Sequence, residues 1–278
     1  MPELPEVRAL AERLDATLAG QSLVNVGVPS FSGLKTVEPS PSALIAAALV
    51  SITGRGKYLV FDFGERGHAL VHLGNSGRLV VEQPVKSTRP RGSLVRFEFE
   101  DAGVLVREHG TERRAGLWVL GAGDNGPLVT LGPEPFDGAF RELILDGGDS
   151  RHLHTMLRDQ RTVAGIGRGY ADDSLHRAAL SPFASLSRLD ATARQRLLEA
   201  VIDVLNEALV RERHRSGGLS DSSLGDRFSI HRRAGAACPR CGRRLERVSY
   251  ESNEIVYCPN CQTKGKVLAD RRLSRLLR

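Results

Sequence analysis

Leu131-Gly132-Pro133-Glu134-Pro135 divides this chain of 278 residues into two kinds of pattern. Upstream of it, short apolar runs recur at Leu23–Val28, Tyr58–Phe63, Ala69–Leu73, Leu79–Val81, Leu94–Phe99, Val104–Val106 and Leu117–Leu120. Short strands separated by glycine-containing breaks predict a β-sandwich. A short interposed helix is expected over Ser42–Val50. Downstream, the period changes to helical. Leu153–Asp159 and Tyr170–Ala179 read as short helices. Asp190–Glu212 reads as the longest, with Leu197, Val201, Val204/Leu205 and Leu209 on one face and Asp190 as its N-cap. Ser220–Asp226 is polar and reads as a mobile connection. The fold class is therefore α+β and multidomain.

Two pairs of cysteines close the chain. Cys238-Pro-Arg-Cys241 is followed by sixteen residues and then by Cys258-Pro-Asn-Cys261. Each pair can bite one tetrahedral metal, and the intervening segment has the length of a hairpin. Two disulfides are the other use of four cysteines, and a cytoplasmic chain rarely keeps them. Four thiolates would leave no open position on a Zn2+ ion, so its role would be structural. The module is basic, with Arg240, Arg243, Arg244, Arg247, Lys264 and Lys266. Residues 211–278 hold 16 Lys/Arg against 7 Asp/Glu, whereas the rest of the chain is slightly acidic. That asymmetry points to an anionic partner, nucleic acid first. No run of apolar residues is long enough for a membrane span. The opening residues lack the pattern of a secretory signal, so the expected place is the cytoplasm, at the nucleoid.

The chain opens Met1-Pro2-Glu3-Leu4-Pro5-Glu6-Val7. Leu4, Val7, Leu10/Ala11, Leu14 and Leu18 recur at helical spacing, and Gly20 ends the helix. One reading is an ordinary helix start with Pro5 and acids in its first turn. The other is chemical. Removal of Met1 would make Pro2 a secondary amine, and an α-amino group titrates near pH ~8, so a useful fraction is nucleophilic at neutral pH. Glu3 lies beside it to move protons.

Gly165-Ile166-Gly167-Arg168-Gly169 does not fit a dinucleotide-binding turn, because position 170 is Tyr and no strand precedes it. It reads instead as the turn of a helix–turn–helix hairpin. Such a turn can offer backbone N–H groups to a phosphate at the next helix N-terminus, with Arg168 adding charge. A plain tight turn is the alternative.

Taken in order, these segments resemble the formamidopyrimidine-DNA glycosylase/endonuclease VIII family. The resemblance rests on the Pro2–Val7 start, Gly56-Lys57-Tyr58-Leu59, His72-Leu73-Gly74-Asn75-Ser76-Gly77, Arg113-Arg114-Ala115-Gly116, Leu131–Pro135, Gly165–Ala171 and the four cysteines. It implies an N-terminal catalytic β-sandwich with flanking helices over 1–131, a helix–two-turn–helix domain over 132–235, and a zinc finger with a basic tail over 236–278. It implies a monomer acting on damaged DNA as a bifunctional glycosylase and AP lyase. Pro2 would attack C1′, Glu3 would shuttle protons, Glu6 would position the site and Lys57 would touch the backbone phosphate. His72, Asn75, Arg113, Arg114, Arg168 and Asn253 fall at DNA-facing positions. Cys238, Cys241, Cys258 and Cys261 would bind one structural zinc.

The departures fall on the DNA-facing positions. Where relatives place a Met, an Arg and a Phe to fill the hole left by a flipped base, this chain has Asn75, Arg113 and Ala115. Arg168 stands for an asparagine and Asn253 for an arginine. An apolar wedge helps offset unstacking. Two expectations follow: a divergent glycosylase/lyase favouring abasic, single-stranded or distorted sites, or a damaged-DNA-binding member that has lost base excision.

Overall fold

In the computed structural model, residues 1–29, 33–109, 114–219, 227–250 and 253–269 are described. The expected polar connection Ser220–Asp226 lies outside them. The chain gathers into two compact units, one of residues 1–130 with 208–225 and one of 131–207 with 226–278.

The first unit opens with helix α1, Leu4–Leu18. Pro5 occupies its first turn, where a missing N–H costs nothing, and Glu3 and Glu6 form a capping box. The Glu3 backbone N–H donates to the Glu6 carboxylate at 2.7 Å. Leu4, Val7, Leu10, Leu14 and Leu18 form the buried stripe. Eight strands follow: β1 Leu23–Gly27, β2 Ser51–Arg55, β3 Tyr58–Asp62, β4 His68–His72, β5 Gly77–Glu82, β6 Ser93–Phe99, β7 Gly103–Glu108 and β8 Gly116–Leu120. They form two four-stranded antiparallel sheets, ordered β1-β6-β7-β5 and β2-β3-β4-β8. Phe61 of one sheet stacks on Phe97 of the other with ring centroids 5.0 Å apart, at the centre of one continuous apolar core. This is the sandwich that the alternating runs predict.

Two local readings differ. Strand β2 carries Thr53, Gly54 and Arg55, too polar to register as an apolar run. The helix expected over Ser42–Val50 is a single 3-10 turn, Pro41–Leu44. Ala46 then takes a positive φ of 66°, which ends any helical path. Gly54 has a specific use. A Cβ there would lie 3.2 Å from the Cα of Arg8, so its absence lets β2 approach the backbone of α1. Asp15 of α1 fastens the same pair by accepting the Ile52 N–H at 2.6 Å.

The second unit contains α2 Gly138–Asp146, α3 Leu153–Arg158, α4 Arg168–Arg177 and the first part of α5 Ala191–Arg213, whose last turns belong to the first unit. Asp190 caps α5 as expected, accepting the Ala193 N–H at 2.7 Å. The C-terminal module is the hairpin β9 Glu246–Tyr250 and β10 Asn253–Tyr257, followed by the short helix α6 Pro259–Thr263. Among the described residues, no helix is long and apolar enough to cross a membrane.

Candidate active site and metal centre

In the first unit, Pro2, Glu3 and Glu6 are all buried at the head of α1. Glu6 is 0% exposed, so its carboxylate belongs to the interior rather than to a solvated helix start. Lys57, 6% exposed, sits in the β2–β3 turn next to Gly56, whose φ is +59°. The close approach at Gly54 brings that hairpin against α1.

His72 ends β4. Burial pushes its pKa down to about 4, and the positive charges of Lys57 and of the chain N-terminus add to the shift. Those three groups therefore share one neighbourhood. The imidazole is neutral at pH 7, with Nδ1 accepting the Gly74 N–H at 3.2 Å and a further hydrogen bond to the Arg114 backbone. It also packs on Tyr58, 4.8 Å between centroids. His72 thus ties the Gly74-Asn75 turn to the Arg114-Ala115 segment.

A stability prediction follows. Its folded pKa lies below the ordinary value near 6.5, so the unfolded chain binds the extra proton first as pH falls. The neutral histidine's contribution is complete above pH ~6.5 and is lost as pH drops through ~4, roughly 3 kcal/mol in all. Urea titrations of wild type and His72→Gln at pH 7.5 and 4.5 measure it. Equal acid losses in the two proteins would refute it.

Glu108, which the sequence reading missed, organises the same loops. Its carboxylate accepts the backbone N–H groups of Arg114 at 2.7 Å and Ala115 at 2.9 Å. Only its place at the end of an apolar strand hints at this, because the partners are backbone atoms. Asn75 is exposed on the turn, Arg114 is exposed, and Arg113 lies outside the described residues. Ala115 is 1% exposed. Its small side chain faces the interior, so this segment presents no apolar wedge at that position.

In the second unit, the Gly165–Gly169 turn joins α3 to α4 as a hairpin. Gln160 braces it from inside, donating to the Ile166 carbonyl at 2.7 Å and accepting the Gly165 N–H at 2.9 Å. The Gly165 N–H is therefore committed within the turn and is not one of the donors expected to face outward. Arg168, half-buried, starts α4, with Gly167 as the N-cap. A Cβ at Gly169 would lie 2.1 Å from the Phe228 ring, so the glycine makes room for that ring.

Helix α4 also carries two buried acids. Asp173 accepts the N–H groups of Ser229, Ile230 and His231 at 2.7, 2.9 and 3.3 Å. Asp172 meets His231 Nδ1 at 2.7 Å, and His154 Nε2 lies 3.2 Å from its other oxygen.

The four cysteine sulfurs lie within 4.8 Å of one another, and no disulfide joins any two of them. Sulfurs around a tetrahedral Zn2+ with Zn–S near 2.3 Å are about 3.8 Å apart. Cys238–Cys261 at 3.9 Å and Cys241–Cys258 at 3.5 Å match that spacing and are too long for a disulfide. The donor set thus fits a metal, and the disulfide alternative is set aside. Arg240, Arg243, Arg244, Arg247, Lys264 and Lys266 are all exposed on this module. Asn253 begins β10, and its side chain lies outside the described residues.

Comparison with known proteins agrees with this architecture. The formamidopyrimidine-DNA glycosylase N-terminal domain matches residues 1–117, and the formamidopyrimidine-DNA glycosylase H2TH domain matches residues 131–218. A formamidopyrimidine-DNA glycosylase of Xanthomonas euvesicatoria is 34% identical over 280 residues, spanning 94% of this chain and 100% of that protein. An uncharacterized formamidopyrimidine-DNA glycosylase-like protein of Mycobacterium tuberculosis is 38% identical over 149 residues, covering 53% of this chain and 94% of that protein. Among solved structures, Lactococcus lactis formamidopyrimidine DNA glycosylase, non-covalently bound to DNA containing an AP site, superposes with a TM-score of 0.83. It is 21% identical over 94% of this chain and 99% of that one. The MutM (Fpg) protein of Thermus thermophilus gives 0.78 at 29% identity, covering 94% and 98%. With relatives matched over nearly their whole length and the same fold, the chain belongs to the formamidopyrimidine-DNA glycosylase family.

Proposed function

We propose that this protein is a base-excision DNA repair enzyme, a bifunctional glycosylase and AP lyase that uses the Pro2 amine once Met1 is removed. The observation that carries the reading is the head of α1, where Pro2, Glu3 and Glu6 are buried together. A solvated helix start would have no reason to bury two carboxylates.

The Pro2 nitrogen attacks C1′ of the flipped nucleotide, and the base leaves with the electron pair of its glycosidic bond. Ring opening of the sugar gives an iminium, with Glu3 delivering the proton to the ring oxygen. Loss of a C2′ proton then expels the 3′ phosphate and breaks the strand. Glu6 holds the Glu3 backbone in place, and Lys57 faces the phosphate beside the lesion. Arg114, Arg168 and the basic C-terminal module supply charge for the DNA backbone, with zinc holding that module folded. The division into catalytic, helix–two-turn–helix and zinc-finger domains belongs to the same reading, as do a monomeric state and a cytoplasmic, nucleoid-associated location.

A second reading has its own observation. Buried Ala115 and exposed Asn75 leave the DNA-facing loops without the apolar wedge that offsets unstacking. It expects salt-sensitive DNA binding without turnover.

Borohydride trapping decides between them. Abasic and lesion-containing oligonucleotides, single- and double-stranded, are incubated with protein whose N-terminal proline is verified by intact mass. A covalent adduct on abasic DNA is expected, stronger on single-stranded or distorted substrates than on intact duplex. No adduct from a verified Pro terminus would eliminate the lyase and leave the binding protein.

A further inference from the structure

His176 has no place in the chemistry above, yet it is buried against the cysteine cluster. It lies in the last turn of α4, is 6% exposed, and its Nε2 is 3.2 Å from Cys238 Sγ. Cys238 Sγ also accepts the Arg240 backbone N–H at 3.4 Å. The neighbouring contacts converge on the same end of α4. The Arg240 guanidinium donates to the Arg177 carbonyl at 2.8 Å. Gln262 donates to the Leu180 carbonyl at 2.9 Å while accepting the Cys258 N–H at 2.8 Å. Both cysteine pairs are thus tied to residues 176–180.

Four thiolates around a divalent ion leave a net charge of −2, and burial makes that excess costly. Each N–H···S hydrogen bond draws charge off a sulfur. It makes that sulfur a weaker target for protons, oxidants and electrophiles. A buried imidazole at this distance has the geometry of such a donor, and it comes from a different module, 62 residues away in sequence.

We propose that His176 is a positioning residue of the metal centre: its Nε2–H donates to the Cys238 thiolate, slowing loss of the metal and fastening α4 to it. The inference rests on the reading of the four cysteines as a zinc site.

The test uses the full chain as wild type, His176→Leu and His176→Gln. Leucine keeps bulk without a donor, whereas glutamine restores an N–H. Zinc content is measured first. Zinc release to a chromogenic chelator is then followed with and without hydrogen peroxide, and the thiolate-to-metal charge-transfer band is recorded after exchange for Co2+. The leucine variant is expected to release zinc roughly 10–100-fold faster, the usual scale for a lost outer hydrogen bond, with glutamine recovering most of the difference. The Co2+ band should move to lower energy in the leucine variant, because an unbonded thiolate gives up electrons more easily.

Equal release rates and an unmoved band in leucine and wild type would overturn the proposal. So would a wild-type Co2+ spectrum of three sulfurs and one nitrogen, which would make His176 a ligand. If the leucine variant does not fold, glutamine, a weaker donor than imidazole, must still shift the band toward lower energy, and no shift overturns the proposal. Wild-type protein without bound metal would instead overturn the zinc reading itself.

Discussion

Glu3→Gln should lower single-turnover strand cleavage at an abasic site by a factor of ~10²–10⁴, the range for removing a positioned general acid or base. DNA affinity should stay within about threefold, because an amide and a carboxylate differ little in shape and no Lys/Arg contact to phosphate is removed. The fold should also survive. Glu3 is the N-cap of α1, and a glutamine oxygen can still accept the capping bond that its carboxylate accepts. The substitution therefore separates proton transfer from structure, which alanine would not do. Quench-flow cleavage and a binding titration on the same oligonucleotide give the two numbers. Wild-type cleavage by the glutamine variant would show that Glu3 is only a cap. The ordinary helix-start reading of the N-terminus would then regain its ground.

Asp173→Ala should strongly destabilise the second unit. The carboxylate is 5% exposed and accepts three consecutive backbone N–H groups, those of Ser229, Ile230 and His231. Burial and the neighbouring Asp172 raise its pKa, and the three donors work against that shift. Alanine leaves the donors without their acceptor, and Ile230 is fully buried. One stranded buried group costs about 1–3 kcal/mol, and bonds to a charged acceptor are stronger, so a loss of roughly 3–5 kcal/mol is expected. In a unit of this size that corresponds to about 10–20 °C in Tm. Calorimetry reads the total. Hydrogen exchange at residues 229–231 locates it, since those amides should lose protection first. A shift under about 2 °C with unchanged exchange would mean that water replaces the carboxylate, and the acid would not be holding the segment.

The contrast between these residues shows what could be read in advance. Glu3 was a candidate because chemistry and position coincide at Pro2-Glu3. Nothing in the local pattern singles out Asp172 and Asp173, because the 229–231 backbone that Asp173 holds and the His231 ring beside Asp172 lie more than 50 residues away. Glu108 is hidden for another reason: its partners are near in sequence but are backbone N–H groups, which any residue offers. Ala115 was recognised as a departure from the family, but only its burial shows that the position faces inward. The interposed helix over Ser42–Val50 was misread because its apolar spacing fits a helix as well as an irregular crossing.

The sequence by itself determined the periodic and the chelating features. These are the alternation of the sandwich strands, the buried stripe of α1, the Asp190 cap, the paired cysteines and the basic C-terminal quarter. Each depends on residues a few positions apart, whose relation is set by the 2.0 or 3.6 repeat or by the bite of one metal. Tertiary structure alone decided which polar groups are buried and what satisfies them. It placed Glu6 in the interior, tied two loops through His72 and Glu108, and set His176 against Cys238. Those outcomes follow from packing between distant segments, where the cost of burying a polar group is met only by a partner that local pattern cannot reveal.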